Sequence, residues 1–127
     1  MVSAKVLISW YGPGFQGKCT AHQLTRRNEK GRVVSRGCER FNQFALTAAH
    51  KSLPMNTQVE IRRGNRSVIV RINDRGPYVR GRTFDVSYAA AKKLGFSGVA
   101  AVTYRIVSQK EIEPLITATV DENRMFR

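Results

Sequence analysis

Carboxylates are scarce: 9 Asp and Glu stand against 22 Lys and Arg, a formal net charge of +13. Any chemistry that depends on acidic side chains has few residues to draw on. Long apolar runs are missing too. The longest near the start, Val6 to Ile8 followed by Trp10 and Tyr11, falls far short of the roughly 20 residues that cross a bilayer. It also lacks a signal peptide's cleavage pattern, so the 127 residues are expected to carry no address. Internal repeats and low-complexity stretches are absent. Cysteine is limited to Cys19 and Cys38, compatible with one disulfide after export or with two thiols in a reducing compartment.

What is present suits one packed domain. Hydrophobic residues make up 42% and aromatics 9%, with a mean hydropathy of -0.34, which disfavours disorder. A chain of this size buries about two-thirds of its unfolded surface. The basic excess attracts polyanions such as nucleic acid, anionic lipid or acidic wall polymers.

The pattern along the chain is mostly strand-like. Val2 to Tyr11 alternates around Val6, Ile8 and Trp10 and stops at Gly12-Pro13-Gly14. From Lys18 to Arg40 the periodicity disappears among seven cations opposed by Glu29 and Glu39, and a surface loop is expected. A bond between Cys19 and Cys38 would staple that segment, contributing about 3 kcal/mol through chain entropy. The rival is a zinc site from Cys19, His22, Cys38 and His50, whose spacing to His50 fits no defined motif. Further strands are expected at 45–48, 58–62 and 67–72, the last two forming a hairpin through Gly64-Asn65, and at 83–86. Ser87 is placed to cap a helix over Tyr88 to Leu94, with Gly95 just past its end. Val99 to Val107 reads as a closing strand, and residues after Gln109 as a polar, loosely held tail. The domain is thus expected over 1–108, with an insertion at about 21–38, and the tail over 109–127. Many short strands with one helix favour an all-β fold, a small closed β-barrel.

Between Arg40 and Val107 the carboxylates are Glu60, Asp74 and Asp85, with Glu39 just before them, and the histidine is His50. Glu60 reads as a solvated strand residue paired with an arginine. Asp85, two residues before the helix cap, suits the positive helix end. Asp74 ends a strongly apolar strand in Asn73-Asp74-Arg75-Gly76-Pro77, a position for a working side chain; an Asx-turn is the equally weighted alternative. His50 precedes Lys51-Ser52-Leu53-Pro54, where a structural hydrogen-bonding role competes with a catalytic one.

Collinear blocks then resemble a known family. They are Ser9-Trp10-Tyr11-Gly12, Thr20-Ala21, Glu39-Arg40-Phe41-Asn42, Ala45 to Pro54 (ALTAAHKSLP), Val70 to Tyr78 (VRINDRGPY) and Gly81 to Ser87 (GRTFDVS). Together they look like the rare lipoprotein A domain over about Ser9 to Val107. The resemblance implies a six-stranded double-psi β-barrel, related to expansins and family-45 endoglucanases, that grips a glycan strand in a surface groove. It also implies a lytic transglycosylase of bacterial peptidoglycan in the cell envelope, preferring strands stripped of stem peptides. The protein would act as a monomer, without cofactor or metal. The family's catalytic aspartate falls on Asp74, its histidine on His50 and its groove glutamate on Glu39. Relative to the family pattern, His22 to Cys38 is inserted between the Thr-Ala and Glu-x-Phe blocks, and the family's lipid-bearing cysteine and signal are not seen.

On this reading Asp74 acts as a protonated acid toward the leaving oxygen. The muramic acid 6-hydroxyl attacks the anomeric carbon, the same aspartate takes its proton, and a 1,6-anhydro end results. Arg71 and Arg75 oppose the protonated form, so local desolvation must outweigh them. Asn73 or neutral His50 would hydrogen-bond the acid, Arg75 would hold a substrate carboxylate, and Trp10, Tyr11 and Tyr78 are candidate sugar-stacking surfaces. Two other functions compete. A non-catalytic, expansin-like wall-binding module would bind glycan without cutting it. Specific nucleic-acid binding rests on charge alone, without a basic recognition helix or an aromatic-basic RNA signature.

Overall fold

The computed structural model describes residues 4–107. The tail expected after Gln109 lies outside the described residues. Strand β1 (Val6–Trp10) leads through a 3₁₀ turn at Pro13–Phe15 into β2 (Cys19–Arg27) and β3 (Val33–Arg40). Then follow β4 (Thr47–Ala49), β5 (Gln58–Arg63), β6 (Arg66–Asp74), β7 (Arg82–Val86), helix α1 (Tyr88–Leu94) and β8 (Ala100–Ile106). Six strands close a barrel in the order β1-β7-β4-β6-β5-β8, and β2 and β3 form a separate two-stranded ribbon. Two pairs run parallel, β1 with β7 and β4 with β6; the other neighbours run antiparallel.

Period-2 alternation builds the core. Val68, Val70 and Ile72 of β6 point inward with Val59 and Ile61 of β5, Ile8 of β1, Phe84 and Val86 of β7, Ala48 of β4 and Val102 of β8. Gly64 takes a positive φ of 61° in the β5–β6 turn, the left-handed first position that a tight hairpin requires. Helix α1 plugs the barrel with Ala90, Ala91 and Leu94. Ser87 Oγ accepts from the Ala90 N–H at 3.2 Å while donating to the Ala45 carbonyl at 2.6 Å, so one hydroxyl caps the helix and ties it to the chain before β4. Gly95 is left-handed and ends it, and the Arg63 guanidinium donates to the Leu94 and Gly95 carbonyls at its negative end.

The basic segment is where the fold differs from expectation. In place of a surface loop the chain forms the β2–β3 ribbon, joined by Cys19–Cys38 with Cα atoms 5.5 Å apart. Its tip is an Asn28-centred turn: the Asn28 side chain accepts from the Lys30 and Arg32 N–H groups, and Gly31 supplies a φ of 78°. Alternating hydrophobicity marks a strand when one face is buried. Most ribbon residues are exposed on both faces, so that signal never arises. The disulfide also overturns the zinc reading, because the two sulfurs bond to each other. His22 is occupied with Glu39, and His50 Nδ1 accepts backbone N–H groups.

Candidate active site

Asp74 sits where β6 leaves the barrel wall. Its Oδ2 accepts from the Tyr11 hydroxyl at 2.8 Å, and its Oδ1 accepts from the N–H groups of Ala21 and Arg75, each at 2.8 Å. The donors come from the chain after β1, from the root of the ribbon and from its own turn. The Asx-type bond to the next residue is therefore present, and it is one of three. Tyr11 is buried, stacked on Phe41 at 4.5 Å and edge-on to Phe15 at 5.5 Å. Burial and the hydrogen bond to Asp74 push its phenol well above the usual range, so it stays a donor.

Strand register fixes what else shares this face. Ala49 of β4 pairs with Asp74 on one side and with Asp85 of β7 on the other, and Asp85 pairs in turn with Ser9 of β1. Directly opposed residues project to the same face of a sheet. Ser9, Asp85, Ala49 and Asp74 thus form one row across four strands, and Tyr11 and Phe41 cluster over Ala49. Ser9 Oγ donates to Asp85 Oδ1 at 3.3 Å. Burial raises Asp85 to about 6, reinforced by the charge of Asp74 and opposed by the Ser9 bond and Arg82. From the sequence Asp85 received only a structural reading, as a carboxylate near the positive end of the helix, although it lies in the Gly81 to Ser87 block.

Glu39 is clamped. Arg71 grips it bidentately, at 2.8 Å to Oε1 and 2.6 Å to Oε2; Asn73 Nδ2 donates to Oε2 at 2.8 Å, and His22 Nδ1 lies 2.8 Å from Oε1. The Arg71 bonds lead in lowering Glu39 to about 2, against a smaller opposing effect of desolvation. It is a fixed anion that holds β3 to β6. Arg71, treated in the sequence as an electrostatic obstacle to Asp74, is spent here, and so is the Asn73 amide nitrogen, while its buried Oδ1 has no partner among the described residues. A 480 Å³ cavity continues from this cluster along the ribbon, from His22 to Arg26 and from Ser35 to Cys38, with Asn56 on the barrel side.

The remaining sequence candidates divide. The His50 N–H donates to the Asp74 carbonyl at 3.2 Å, and its ring lies 5.0 Å from that of Phe84. Its Nδ1 accepts from Ser52 and Leu53 N–H at 3.1 and 3.0 Å, so the proton resides on Nε2. Burial, with help from Arg75 and Lys51, lowers its pKa and keeps it neutral. The Arg75 guanidinium donates to the His50 and Leu53 carbonyls, at 3.2 and 2.7 Å, and shapes that turn. Tyr78 is 80% exposed. Tyr11 offers no open face. Trp10 leans on the core and on Tyr88, lining a 350 Å³ cavity with residues of α1. Glu60 meets Arg62 and Arg105 on the outer wall, as expected.

Comparisons with known proteins agree with this architecture. The family described as lytic transglycolase matches residues 4–104. A probable endolytic peptidoglycan transglycosylase RlpA of Synechocystis is 47% identical over 105 residues, 80% of this chain and 28% of the relative. The endolytic peptidoglycan transglycosylase RlpA of Campylobacter jejuni is 42% identical over 109 residues, 83% of this chain and 34% of the relative. That of Neisseria meningitidis is 40% identical over 118 residues, 91% of this chain and 42% of the relative. The chain therefore spans well under half the length of these curated relatives.

Proposed function

The chain belongs to the lytic transglycolase family, and on that footing we propose that it cleaves the MurNAc-GlcNAc linkages of peptidoglycan glycan strands, poor in stem peptides, to leave 1,6-anhydro-MurNAc ends. The observation that carries this reading is the Asp74 carboxylate, held at a strand end by donors from three different segments. That is the preorganisation a reacting group needs. The reaction moves one proton onto the leaving oxygen and another off the muramic 6-hydroxyl, with no water consumed, and Asp74 is the carboxylate at the reacting centre. His50 offers an Nε2–H donor from the neighbouring turn toward substrate oxygens. Glu39 holds the ribbon root against the barrel and so sets one wall of the groove. Exposed Tyr78 supplies a stacking surface. The disulfide suits an exported protein of the bacterial cell envelope, in the periplasm or beyond it.

Purified sacculi stripped of stem peptides, incubated with the protein and read by mass analysis of soluble products, test this. The wild type is expected to release 1,6-anhydro ends, and Asp74→Asn to lose that release by about 10²- to 10⁴-fold while keeping the native far-ultraviolet spectrum. Undiminished release by the variant removes Asp74 from the mechanism. Wild-type binding without any anhydro product assigns the groove to wall binding alone.

A further inference from the structure

We infer that the cavity along the ribbon is a glycan subsite for a MurNAc residue away from the cleaved bond, where Arg26 binds the free lactyl carboxylate that this sugar bears once its stem peptide is gone. The inference rests on the glycan-cleaving reading and deepens it by naming the residue that selects strands poor in stem peptides.

Register decides which side chains share the cavity. Leu24 opposes Gly37 and Arg26 opposes Ser35, and opposed pairs at alternate positions project to one face of a ribbon. Glu39 continues that alternation beyond Gly37, and its bonds from Arg71 and Asn73 turn this face toward the barrel. From the barrel side Asn56 lines the same 480 Å³ cavity. Its Oδ1 accepts from Arg71 at 3.0 Å, which orients the amide and leaves Nδ2 as a donor without a partner among the described residues. The space over Gly37 is open, since an added Cβ would meet no atom within 4 Å. Beside it Leu24 is 47% exposed and belongs to neither hydrophobic cluster. The cavity begins at His22, next to Ala21, whose N–H donates to Asp74 at 2.8 Å. A glycan lying along it therefore runs from the proposed reacting centre up the ribbon, and Arg26 stands about 16 Å of extended chain beyond Ala21.

An apolar surface with an amide donor would suit any sugar; the charge is more particular. Arg26 makes no ion pair among the described residues. Between Ala21 and Cys38 the cations Arg26, Arg27, Lys30, Arg32 and Arg36 meet a single carboxylate, Glu29. Glu39, at the root, is an anion already gripped by Arg71. Where a stem peptide is attached, the lactyl carboxyl of MurNAc is an amide and carries no charge. Hydrolysis of that amide leaves a carboxylate on the sugar itself, and a guanidinium meets a carboxylate with two parallel N–H donors. Asn56 Nδ2 donates to an oxygen of the same sugar, and Leu24 packs on its apolar side. The reaction that supplies this substrate is thus hydrolysis of the bond between lactyl group and peptide, ahead of the cut made here.

Two substrates test the assignment with the full chain: glycan strands stripped of stem peptides, and the same strands with their lactyl carboxylates converted to methylamides. Release of anhydro ends is read by mass analysis, and strand binding separately by fluorescence anisotropy. The wild type is expected to show a KM about 5-fold lower on the carboxylate strands, with kcat alike on both. Arg26→Gln should raise KM on the carboxylate strands about 5-fold, leave the methylamide strands unchanged and keep the wild-type melting temperature. Arg26→Lys should retain part of the preference. Lys30→Gln, an equal change of net charge at the ribbon tip, should stay within about twofold of wild type. Equal KM on both strands, or a preference that survives Arg26→Gln, overturns the inference while continued anhydro release leaves the parent reading standing. A preference lost equally in Lys30→Gln, or an Arg26-dependent affinity for a DNA duplex that matches that for the strands, also overturns it, by making the ribbon a general polyanion surface. A wild type that releases no anhydro ends overturns the parent reading, and the anisotropy comparison of the two strands still decides the subsite.

Discussion

The barrel and the ribbon are made from the same kind of backbone pairing and held by different forces. In the barrel every strand has two neighbours and one buried face, and its interior from Ile8 to Val102 is almost fully withdrawn from water. In the ribbon each strand has one neighbour, both faces are wet, and the cohesion comes from backbone bonds, the Cys19–Cys38 bridge and the Glu39 clamp at its root. Asp74 lies on the seam, with Tyr11 arriving from the barrel and Ala21 from the ribbon. The hydrophobic core fixes where the carboxylates stand; a polar hinge fixes what surrounds them.

Three tests break or sharpen this contrast. The largest effect is expected in the core: Phe84→Ala should cost about 3–5 kcal/mol in urea unfolding, whereas Val34→Ala on the ribbon should fall within about 0.5 kcal/mol. Equal costs would mean that the ribbon carries a core of its own. Next, Cys19→Ser with Cys38→Ser should ease local opening of the ribbon by about 3 kcal/mol. Amide exchange should then speed up over 22–37 and stay slow in β5 and β6; acceleration in both would merge the two regions into one cooperative unit. Smallest, Glu39→Gln should cost about 1–3 kcal/mol by leaving Arg71 without its anion. Its pH dependence has a definite sign. Glu39 is lowered from 4.5 to about 2 in the fold, so its contribution is present at neutral pH and is lost as pH falls from about 4.5 toward 2. The gap between wild-type and Glu39→Gln stability should close over that window, and a constant gap would show that the clamp is not ionic.

The barrel could be read from the sequence almost strand by strand, because inward residues such as Val68, Val70 and Ile72 recur with the period that burial on one face imposes. Ser87 and Gly95 marked the helix ends through their own capping chemistry. The ribbon could not be read this way, since solvent on both sides of Leu24 to Arg27 and Val34 to Arg36 leaves no pattern to detect. At the site, Asp74 stood out because a carboxylate ended an apolar run. Asp85 did not, for two reasons. The adjacent cap at Ser87 already gave it a structural explanation, and its nearness to Asp74 depends on β7 lying between β1 and β4, which only the closed topology determines. Arg71 and Arg75 looked like threats to the acid for a similar reason: sequence proximity carries no information about which acceptor a guanidinium has already found.

Closure leaves the barrel no free strand margin, but the ribbon keeps two, each a template onto which another extended chain can add. Arg26, Arg27, Lys30, Arg32 and Arg36 crowd those margins with like charge, and two such ribbons approaching edge to edge repel. The like charge along the ribbon therefore opposes edge-to-edge pairing, and a variant neutralised there is expected to aggregate more readily.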